Sequence, residues 1–478
     1  MDNLLEKGLT WTQESGASYA ELRWSEVEES QLTMKNGCLV SPTLSIFAGI
    51  AVRVLVDGYW GFAAARIGQA EELKALVEQA VAVAKASKVA GDPISLAKYF
   101  SITDSYETPV AEDPFLVLES EKLALLQEVE AGLNQPGIAV RLGQISAGRE
   151  RKLLVTSEGS RISQTLTRCG GFIQARTGQG SYVQQRSYPA ALGGNWATGG
   201  FEYIRSLDLP GAAPKVAQEI QALQDAPLCP LGTYDLILTD SMLAHQIHET
   251  LGHALELDRV LGDELSLLGG SFIGPSDLGK LQVASPHVNL VADATLPGAP
   301  GTYKYDDEGV RGQRVELVKG GMVSSFISNR ESAARIGRFS SGTARAGSWS
   351  SLPLVRMANI CLEPGQETLA ELIAGVERGL LLDSCRSYSV DDRRLNFQFG
   401  AELGWLIEGG KITSLVRNPA YSGLTPEFWL KCDGVANRQH YGMWAVPYCT
   451  KGEPLQHLAI GHGCSAARFR RVKAGGVQ

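Results

Sequence analysis

His248-Glu-Thr-Leu-Gly-His253 is the stretch from which the fold and the chemistry of this chain are best inferred. The 478 residues include only seven histidines, and three of them, at positions 245, 248 and 253, fall within nine residues. Two imidazoles beside a glutamate suit zinc, because nitrogen ligands hold the ion and a carboxylate can take a proton from activated water. The zinc-protease form of this pattern is H-E-x-x-H. This chain therefore carries one extra residue between the two histidines.

The extra residue has a geometric consequence. Residues i and i+4 of an α-helix lie about 40° apart around the axis, whereas residues i and i+5 lie about 140° apart. His248 and His253 can share one metal ion only if the helix is distorted between them, and a single-turn π-bulge would do this. Gly252 costs a regular helix roughly 1 kcal/mol relative to alanine. We therefore predict a distorted helix near Gly252.

The surrounding sequence predicts a strand followed by a helix. Residues 234–239 are rich in apolar strand formers, and Asp240 and Ser241 supply N-cap chemistry. A helix is expected over about 241–258, with one apolar face: Leu243, Ile247, Leu251 and Leu255. The histidines and Glu249 lie off that face. Taken alone, the spacing favours ordinary polar residues on a half-exposed helix. The strand that leads into this helix, in contrast, favours a metal site.

Composition limits the class of protein and its partners. The length predicts two or three domains, and the formal net charge of −8 argues against nucleic acid or an anionic membrane as the main partner. The start has no basic segment followed by an apolar one, and no apolar run reaches 18 residues. Eight cysteines are spread singly without a C-x-x-C pair. We expect a cytoplasmic protein with reduced thiols.

The order of helical and strand-like patterns predicts an α+β fold. We expect an N-terminal α/β region with an antiparallel sheet and a β-rich C-terminal domain that carries the metal-site helix. Proline- and glycine-containing connections divide the chain. The predicted domains are residues 1–90 (N-terminal α+β), 112–226 (middle α+β) and 230–478 (β-rich, C-terminal).

Four motifs in a fixed order resemble the TldD/PmbA family. TldD-type members of this family were once called modulators of DNA gyrase and are now regarded as zinc metalloproteases. Residues 49–63 resemble the family's G-x-x-V-R-V-x-x-x-G-x-x-G-F-A segment, and residues 248–258 fit its H-E-x-x-G-H-x-x-E-x-D core. Residues 305–310 contain its D-D-E-G stretch, and residues 352–359 fit L-P-x-x-R-M-x-N. The resemblance covers most of the chain and implies a Zn²⁺ site, a cytoplasmic location and peptidase activity.

The resemblance also implies a ligand set. His248 and His253 would bind zinc, Glu249 would be the general base, and the family's third ligand is a cysteine in a C-G-K-x-G-Q context. Residues 449–456 occupy the matching place, so Cys449 is the implied ligand. Thr450 stands where the family usually has glycine, which leaves the alternatives Cys464 and Cys432 open.

Further residues are candidates for the second shell or for substrate binding. Glu256 and Asp258 could be ligands, carboxylates that orient an imidazole, or a solvated helix end. Asp307, in the acidic run 306–308, could help to bind a divalent cation or lie in a solvated turn. Arg356 could orient a carboxylate or a substrate carbonyl, or form a structural ion pair.

The predicted function is that of a zinc-dependent metallopeptidase, the catalytic TldD-type subunit, which hydrolyses unfolded or extended peptides. The alternative is a non-catalytic regulatory or peptide-binding subunit with a structural zinc. A structural site is normally closed by four protein ligands, whereas a catalytic site keeps a position open. The resemblance implies a dimer, formed with a PmbA-type paralogue that lacks the motif or with a second copy of this chain.

Overall fold

The computed structural model describes residues 1–89, 92–178, 183–265 and 269–476. The fold is α+β, as predicted, with antiparallel sheets in both halves and a strand-rich C-terminal half. The N-terminal half contains α1 (Asp2–Glu14), β1 (Tyr19–Lys35), β2 (Cys38–Val56), β3 (Tyr59–Ala65), α2 (Ala70–Ala86), β4 (Thr103–Glu107), α3 (Glu119–Leu133), β5 (Ile138–Thr156), β6 (Arg161–Thr177), β7 (Gln184–Tyr188), β8 (Asn195–Thr198), α4 (Phe201–Ser206) and α5 (Leu209–Asp225).

One eight-stranded sheet organises this half. Its order is β3-β2-β1-β5-β6-β4, and β7 and β8 also pair with β6. The two long hairpins, β1–β2 and β5–β6, are joined by antiparallel pairing of β1 with β5. Apolar faces of α1 and α2 cover the first hairpin, and α3 and α5 cover the second. The division into domains 1–90 and 112–226 stays a prediction, and its boundary residue 90 lies outside the described residues.

The C-terminal half begins with a strand that runs directly into a helix. Its elements are β9 (Gly232–Leu238), α6 (Asp240–Gln246), α7 (Leu257–Leu261), β10 (Leu290–Asp293), β11 (Arg314–Lys319), β12 (Met322–Val323), α8 (Arg330–Arg335), β13 (Ala344–Arg345), β14 (Leu354–Val355), β15 (Ile360–Leu362), α9 (Leu369–Ala374), β16 (Arg378–Val390), β17 (Asn396–Glu408), β18 (Lys411–Val416), β19 (Pro419–Leu424), α10 (Thr425–Leu430), β20 (Cys432–Val435), β21 (Gly442–Lys451), β22 (Gln456–Cys464) and β23 (Ala467–Gly476). The predicted domain end at residue 478 lies outside the described residues.

Five of these strands close into a ring. β9 pairs with β16 and β23, β23 pairs with β19, and β17 pairs with both β19 and β16. The β21–β22 hairpin is a separate two-stranded sheet. Its position is fixed by the middle of the chain, because the Asn195 side chain of β8 donates to the Met443 carbonyl and accepts from the Ala445 amide.

The helix after β9 is buried on every side. All residues from 241 to 260 are buried, including the predicted apolar face of Leu243, Ile247, Leu251 and Leu255. The alternative of ordinary polar residues on a half-exposed helix face is therefore wrong. The α-helical part ends at Gln246, and Glu256 is extended (φ −75°, ψ 118°), so the predicted continuous helix over 241–258 is also wrong.

No helix among the described residues combines the length and the apolar character needed to cross a membrane.

Candidate metal centre

The predicted distortion of the helix is confirmed. Residues Ile247–Gly252 form a π-helical turn, and His253–Leu255 form a 3₁₀ turn. A π-turn absorbs one additional residue, which brings residues five apart onto one face. The rings of His248 and His253 consequently lie with their centroids 4.7 Å apart.

Gly252 permits close packing at this turn. A Cβ atom on Gly252 would lie 2.5 Å from Sδ of Met357 and 3.2 Å from the carbonyl oxygen of Ile247. Met357 belongs to the segment 352–359. Two sequence motifs a hundred residues apart are therefore in direct contact at the site.

Three side chains of types that can bind a metal converge at the π-turn. The donor atoms of His248, His253 and Cys449 all lie within 4.8 Å of one another, and all three residues are buried. Cys449 Sγ lies 3.7 Å from Nε2 of His253. Among the described residues, these are the His, Cys, Asp and Glu side chains that form such a group.

His253 is backed by a buried carboxylate. Its Nδ1 lies 2.9 Å from Oε2 of Glu256, which also accepts from Nε of Arg259 at 2.7 Å. Burial opposes the charge on Glu256, but Lys451, His253 and Arg259 hold its pKa well below the ordinary value. Glu256 is thus an anionic partner for the imidazole, and it is not part of a solvated helix end.

His248 is backed by a second histidine. Its Nδ1 lies 2.7 Å from Nε2 of His462, whose own Nδ1 lies 3.2 Å from the carbonyl oxygen of Ile360. Burial lowers the pKa of His248 to about 4 and that of His462 well below 6.5. Both imidazoles are therefore neutral at pH 7, which leaves nitrogen lone pairs available for bonding.

Cys449 is held by an arginine. Nη2 of Arg356 donates to the carbonyl oxygen of Cys449 at 2.5 Å, and Nη1 donates to that of Gln456 at 3.3 Å. Arg356 therefore clamps both strands of the β21–β22 hairpin, and it forms no ion pair with any carboxylate among the described residues. Burial disfavours the thiolate, but Arg356 and His253 outweigh it and lower the pKa of Cys449. A thiolate is the metal-binding form of cysteine.

Lys451 ties the hairpin to the helix. The fully buried Lys451 amine donates to both Asp258 oxygens at 2.7 Å and lies 3.2 Å from Oε2 of Glu256. It also donates to the carbonyl of Val355 at 2.7 Å. Glu256 thus contacts both the His253 ring and Lys451, which lies on the strand that carries Cys449.

Glu249 is next to the metal-binding group but has different partners. Nη1 of Arg394 donates to Oε2 of Glu249 at 2.6 Å. The carboxylate also faces Tyr388, and burial together with the charge of Glu249 raises the pKa of that phenol. Tyr388 is 45% exposed, so the buried Glu249 carboxylate lies beside a partly exposed side chain.

The remaining candidates lie apart from this group. The thiol of Cys464 donates to the carbonyl of Asp240 at 3.2 Å, and that of Cys432 lies 3.9 Å from the Gly434 carbonyl. Asp307 pairs with Lys152 at 3.0 Å and with Arg23 at 3.8 Å.

The acidic run 306–308 is not a solvated turn, because all three of its residues are buried. Glu308 pairs with Arg53 of β2 at 3.0 Å, as Asp307 does with Lys152 of β5. The run therefore joins the N-terminal sheet to the C-terminal half.

Sequence reasoning missed four residues of this site: Tyr388, Arg394, Lys451 and His462. Lys451 could have been found, since it matches the lysine of the C-G-K-x-G-Q pattern. His462 belongs to a short C-terminal stretch with two histidines. No sequence pattern marks Tyr388 or Arg394, which reach Glu249 through the pairing of β16 with β17.

The donor set fits zinc. Two imidazole nitrogens and one thiolate are ligands that a borderline-soft, four-coordinate ion accepts. His248 and His253 both engage Nδ1 with another protein group. Their Nε2 atoms are therefore the ones left for a metal.

Comparison with known proteins matches three regions of the chain to domain models of one family. Three family models match: PmbA/TldA metallopeptidase domain 1 at residues 20–84, the central domain at 112–219 and the C-terminal domain at 231–463. The chain is 30% identical over 447 residues to a metalloprotease of Methanocaldococcus jannaschii, covering 93% of this chain and 95% of that protein.

Two further relatives extend this likeness. A protein of Saccharolobus solfataricus named a zinc metalloprotease TldD homolog is 23% identical over 481 residues, covering 97% of this chain and 98% of that one. The crystal structure of TldE from Thermococcus kodakarensis superposes with a TM-score of 0.74 at 17% identity, covering 100% of both chains. At 17% identity, the likeness to TldE shows a shared fold and nothing more.

Proposed function

Because the chain belongs to the PmbA/TldD family of metallopeptidases, we propose that it is the catalytic, TldD-type subunit of a zinc peptidase. The observation that carries this proposal is the convergence of His248, His253 and Cys449 within 4.8 Å, with Glu249 directly following the first of them. The name of the Saccharolobus relative supports zinc as the metal.

Nε2 of His248, Nε2 of His253 and Sγ of Cys449 would hold the ion. The arrangement supports an open catalytic site over a closed structural one. Oε2 of Glu256 is shared by His253, Arg259 and Lys451, and among the described residues Glu256 is not part of the group of donor atoms within 4.8 Å of one another. The Cys464 thiol donates to a backbone carbonyl, so neither residue is placed as a fourth ligand.

Bound zinc supplies Lewis acidity, which acidifies water and polarises a carbonyl group. Glu249 accepts the proton of the attacking water and later delivers it to the leaving amine. The hydrogen bond from Arg394 to Oε2 holds the Glu249 carboxylate in one orientation. Tyr388 borders the same carboxylate and is the partly exposed member of the group.

The substrate class follows from burial. His248, Glu249, His253 and Cys449 are each at most 5% exposed. A folded protein surface cannot reach groups that are buried to this extent, whereas a single extended chain can enter a narrow opening. We therefore infer that unfolded or extended peptides are the substrates.

The partner is proposed on the basis of the fold. The similarity to TldE supports pairing with a PmbA-type paralogue, and a homodimer is the alternative. All eight cysteines are free thiols, which supports a reducing, cytoplasmic location.

The test measures bound zinc and cleavage of an unfolded peptide for the wild type, His253→Ala and Cys449→Ala, each with and without a PmbA-type subunit. Cys464→Ala is the matched control, since it removes a buried thiol from the next strand. We expect both site variants to lose zinc and cleavage, and Cys464→Ala to keep both. A zinc-loaded wild type that cuts nothing in any combination would contradict the proposal and favour a regulatory subunit.

A further inference from the structure

His248 and His462 form a buried chain of hydrogen bonds that ends on the backbone. Nδ1 of His248 lies 2.7 Å from Nε2 of His462, and Nδ1 of His462 lies 3.2 Å from the carbonyl oxygen of Ile360. The two rings are nearly perpendicular, at 87°. His462 has 0% and His248 has 2% of its surface exposed.

With both imidazoles neutral, this series of hydrogen bonds allows one arrangement of protons. A carbonyl oxygen can only accept, so Nδ1 of His462 carries the hydrogen that is donated to Ile360. Because burial favours the neutral imidazole over the cation, Nε2 of His462 then carries a lone pair. That lone pair accepts from Nδ1 of His248, which must be protonated. Nε2 of His248 is left as the unprotonated nitrogen.

We propose that His462 is a positioning residue that locks His248 in the tautomer whose Nε2 binds the metal. The carbonyl of Ile360 fixes the direction of the whole chain of hydrogen bonds. This inference rests on the proposed metal site but not on peptidase activity, since the tautomer exists in the metal-free protein.

The two histidines of the site are thus held in chemically different ways. His253 donates to Glu256, an anion that increases the electron density of its ring. His248 donates to a neutral histidine, which fixes the ring without adding charge. With one thiolate already in the donor set, a neutral partner leaves the metal a stronger Lewis acid than a second carboxylate would.

The first test reads the tautomers directly. Long-range proton–nitrogen correlation NMR of the full chain labelled with ¹⁵N-histidine, free of metal, distinguishes protonation at Nδ1 from protonation at Nε2. Single-histidine variants assign the seven residues. We expect both His248 and His462 to carry the proton on Nδ1. A proton on Nε2 of His248 in the wild type would overturn the proposal, whatever the behaviour of any variant.

The second test measures zinc affinity by competition with a chelator. His462→Leu removes the acceptor, and we expect a loss of about 10- to 100-fold, as is typical when a group that orients a ligand is lost. His462→Gln should restore most of the affinity, because its amide oxygen can accept from His248 while its amide NH₂ donates to Ile360. His457→Leu is the matched control on the same strand, with an exposed side chain, and should bind zinc like the wild type.

The variants also separate positioning from a general effect on folding. Equal losses in His462→Gln and His462→Leu would overturn the proposal, because packing alone would then explain them. Wild-type affinity in a folded His462→Leu protein would overturn it as well. Failure of the peptidase function with the predicted tautomers and affinities would leave this inference standing.

Discussion

Nε2 of His253 and Sγ of Cys449 lie 3.7 Å apart although 196 residues separate them in the chain. The 3₁₀ turn that follows α6 and the π-turn supplies the histidine, and the C-terminal hairpin β21–β22 supplies the cysteine. Lys451 fastens the hairpin to the histidine-bearing segment, and Arg356 bonds both strands of the hairpin from the segment 352–359. A bound ion would bridge these two parts of the fold, so metal binding and folding stability should be linked.

Removal of zinc should therefore lower the melting temperature of the wild type. An ion that binds only the folded state stabilises it by about 4 kcal/mol at a thousandfold excess over Kd. Calorimetry with and without a chelator measures the shift. Cys449→Ala should show a much smaller shift, and an equal shift in that variant would mean that the ion binds elsewhere.

Glu249→Gln should retain zinc and lose peptide cleavage by at least about 100-fold, which is the contribution typical of a general base. The amide keeps the size of the side chain and cannot accept a proton from water. Metal analysis and peptide hydrolysis on the same preparation measure both effects. If the Glu249→Gln protein still cleaves the peptide, Glu249 is not the general base.

Lys451→Met should destabilise the fold by about 3–5 kcal/mol, because it leaves the buried Asp258 without its partner. Denaturant unfolding measures the change. Lys88→Met is the matched control, since Lys88 pairs with Asp57 on the surface and exposed pairs contribute little. A similar effect for both variants would contradict the structural role of Lys451.

Gly252→Ala should cost about 1–3 kcal/mol, because the added methyl group would overlap Met357 and press on the Ile247 carbonyl. Removing the Met357 side chain relieves the main overlap. A double-mutant cycle with Met357→Ala, measured by unfolding, should therefore show favourable coupling between the two substitutions. Additive losses would mean that the close packing is not the cause.

Asp240, at the start of α6, should make stability depend on pH. Burial raises the pKa of its carboxyl to about 6 from 3.8, so the unfolded state ionises first. The free energy of unfolding then falls as the pH rises from 3.8 to 6 and stays lower above that range, by at most about 3 kcal/mol.

Asp240→Asn should accordingly be more stable than the wild type at pH 8 and equal to it below pH 4. Urea unfolding across this range measures the difference between the two proteins. A variant that is no more stable than the wild type at pH 8 would contradict the burial effect.

Much of the site was predictable because its constraints are local. The five-residue spacing of His248 and His253 requires a distorted helix, and Gly252 marks the place. The strand before the helix and the buried leucines follow from apolar patterning. The α+β class follows from the order of these patterns along the chain.

The rest depends on contacts between residues far apart in sequence. Periodicity cannot indicate that Arg394 reaches Glu249, because that contact depends on how β16, β17 and the helix pack. The burial of the acidic run 306–308 was unexpected for a related reason. Its cationic partners, Lys152 and Arg53, lie on strands of the other half of the chain.

The central claim is that one cysteine and two histidines hold a zinc ion with a position left open. X-ray absorption spectroscopy at the zinc edge of the purified wild-type protein tests it most directly. The account predicts one sulfur at about 2.3 Å and three nitrogen or oxygen ligands at about 2.0–2.2 Å, one of them from solvent. A zinc ion with no sulfur neighbour, or with two, would contradict it.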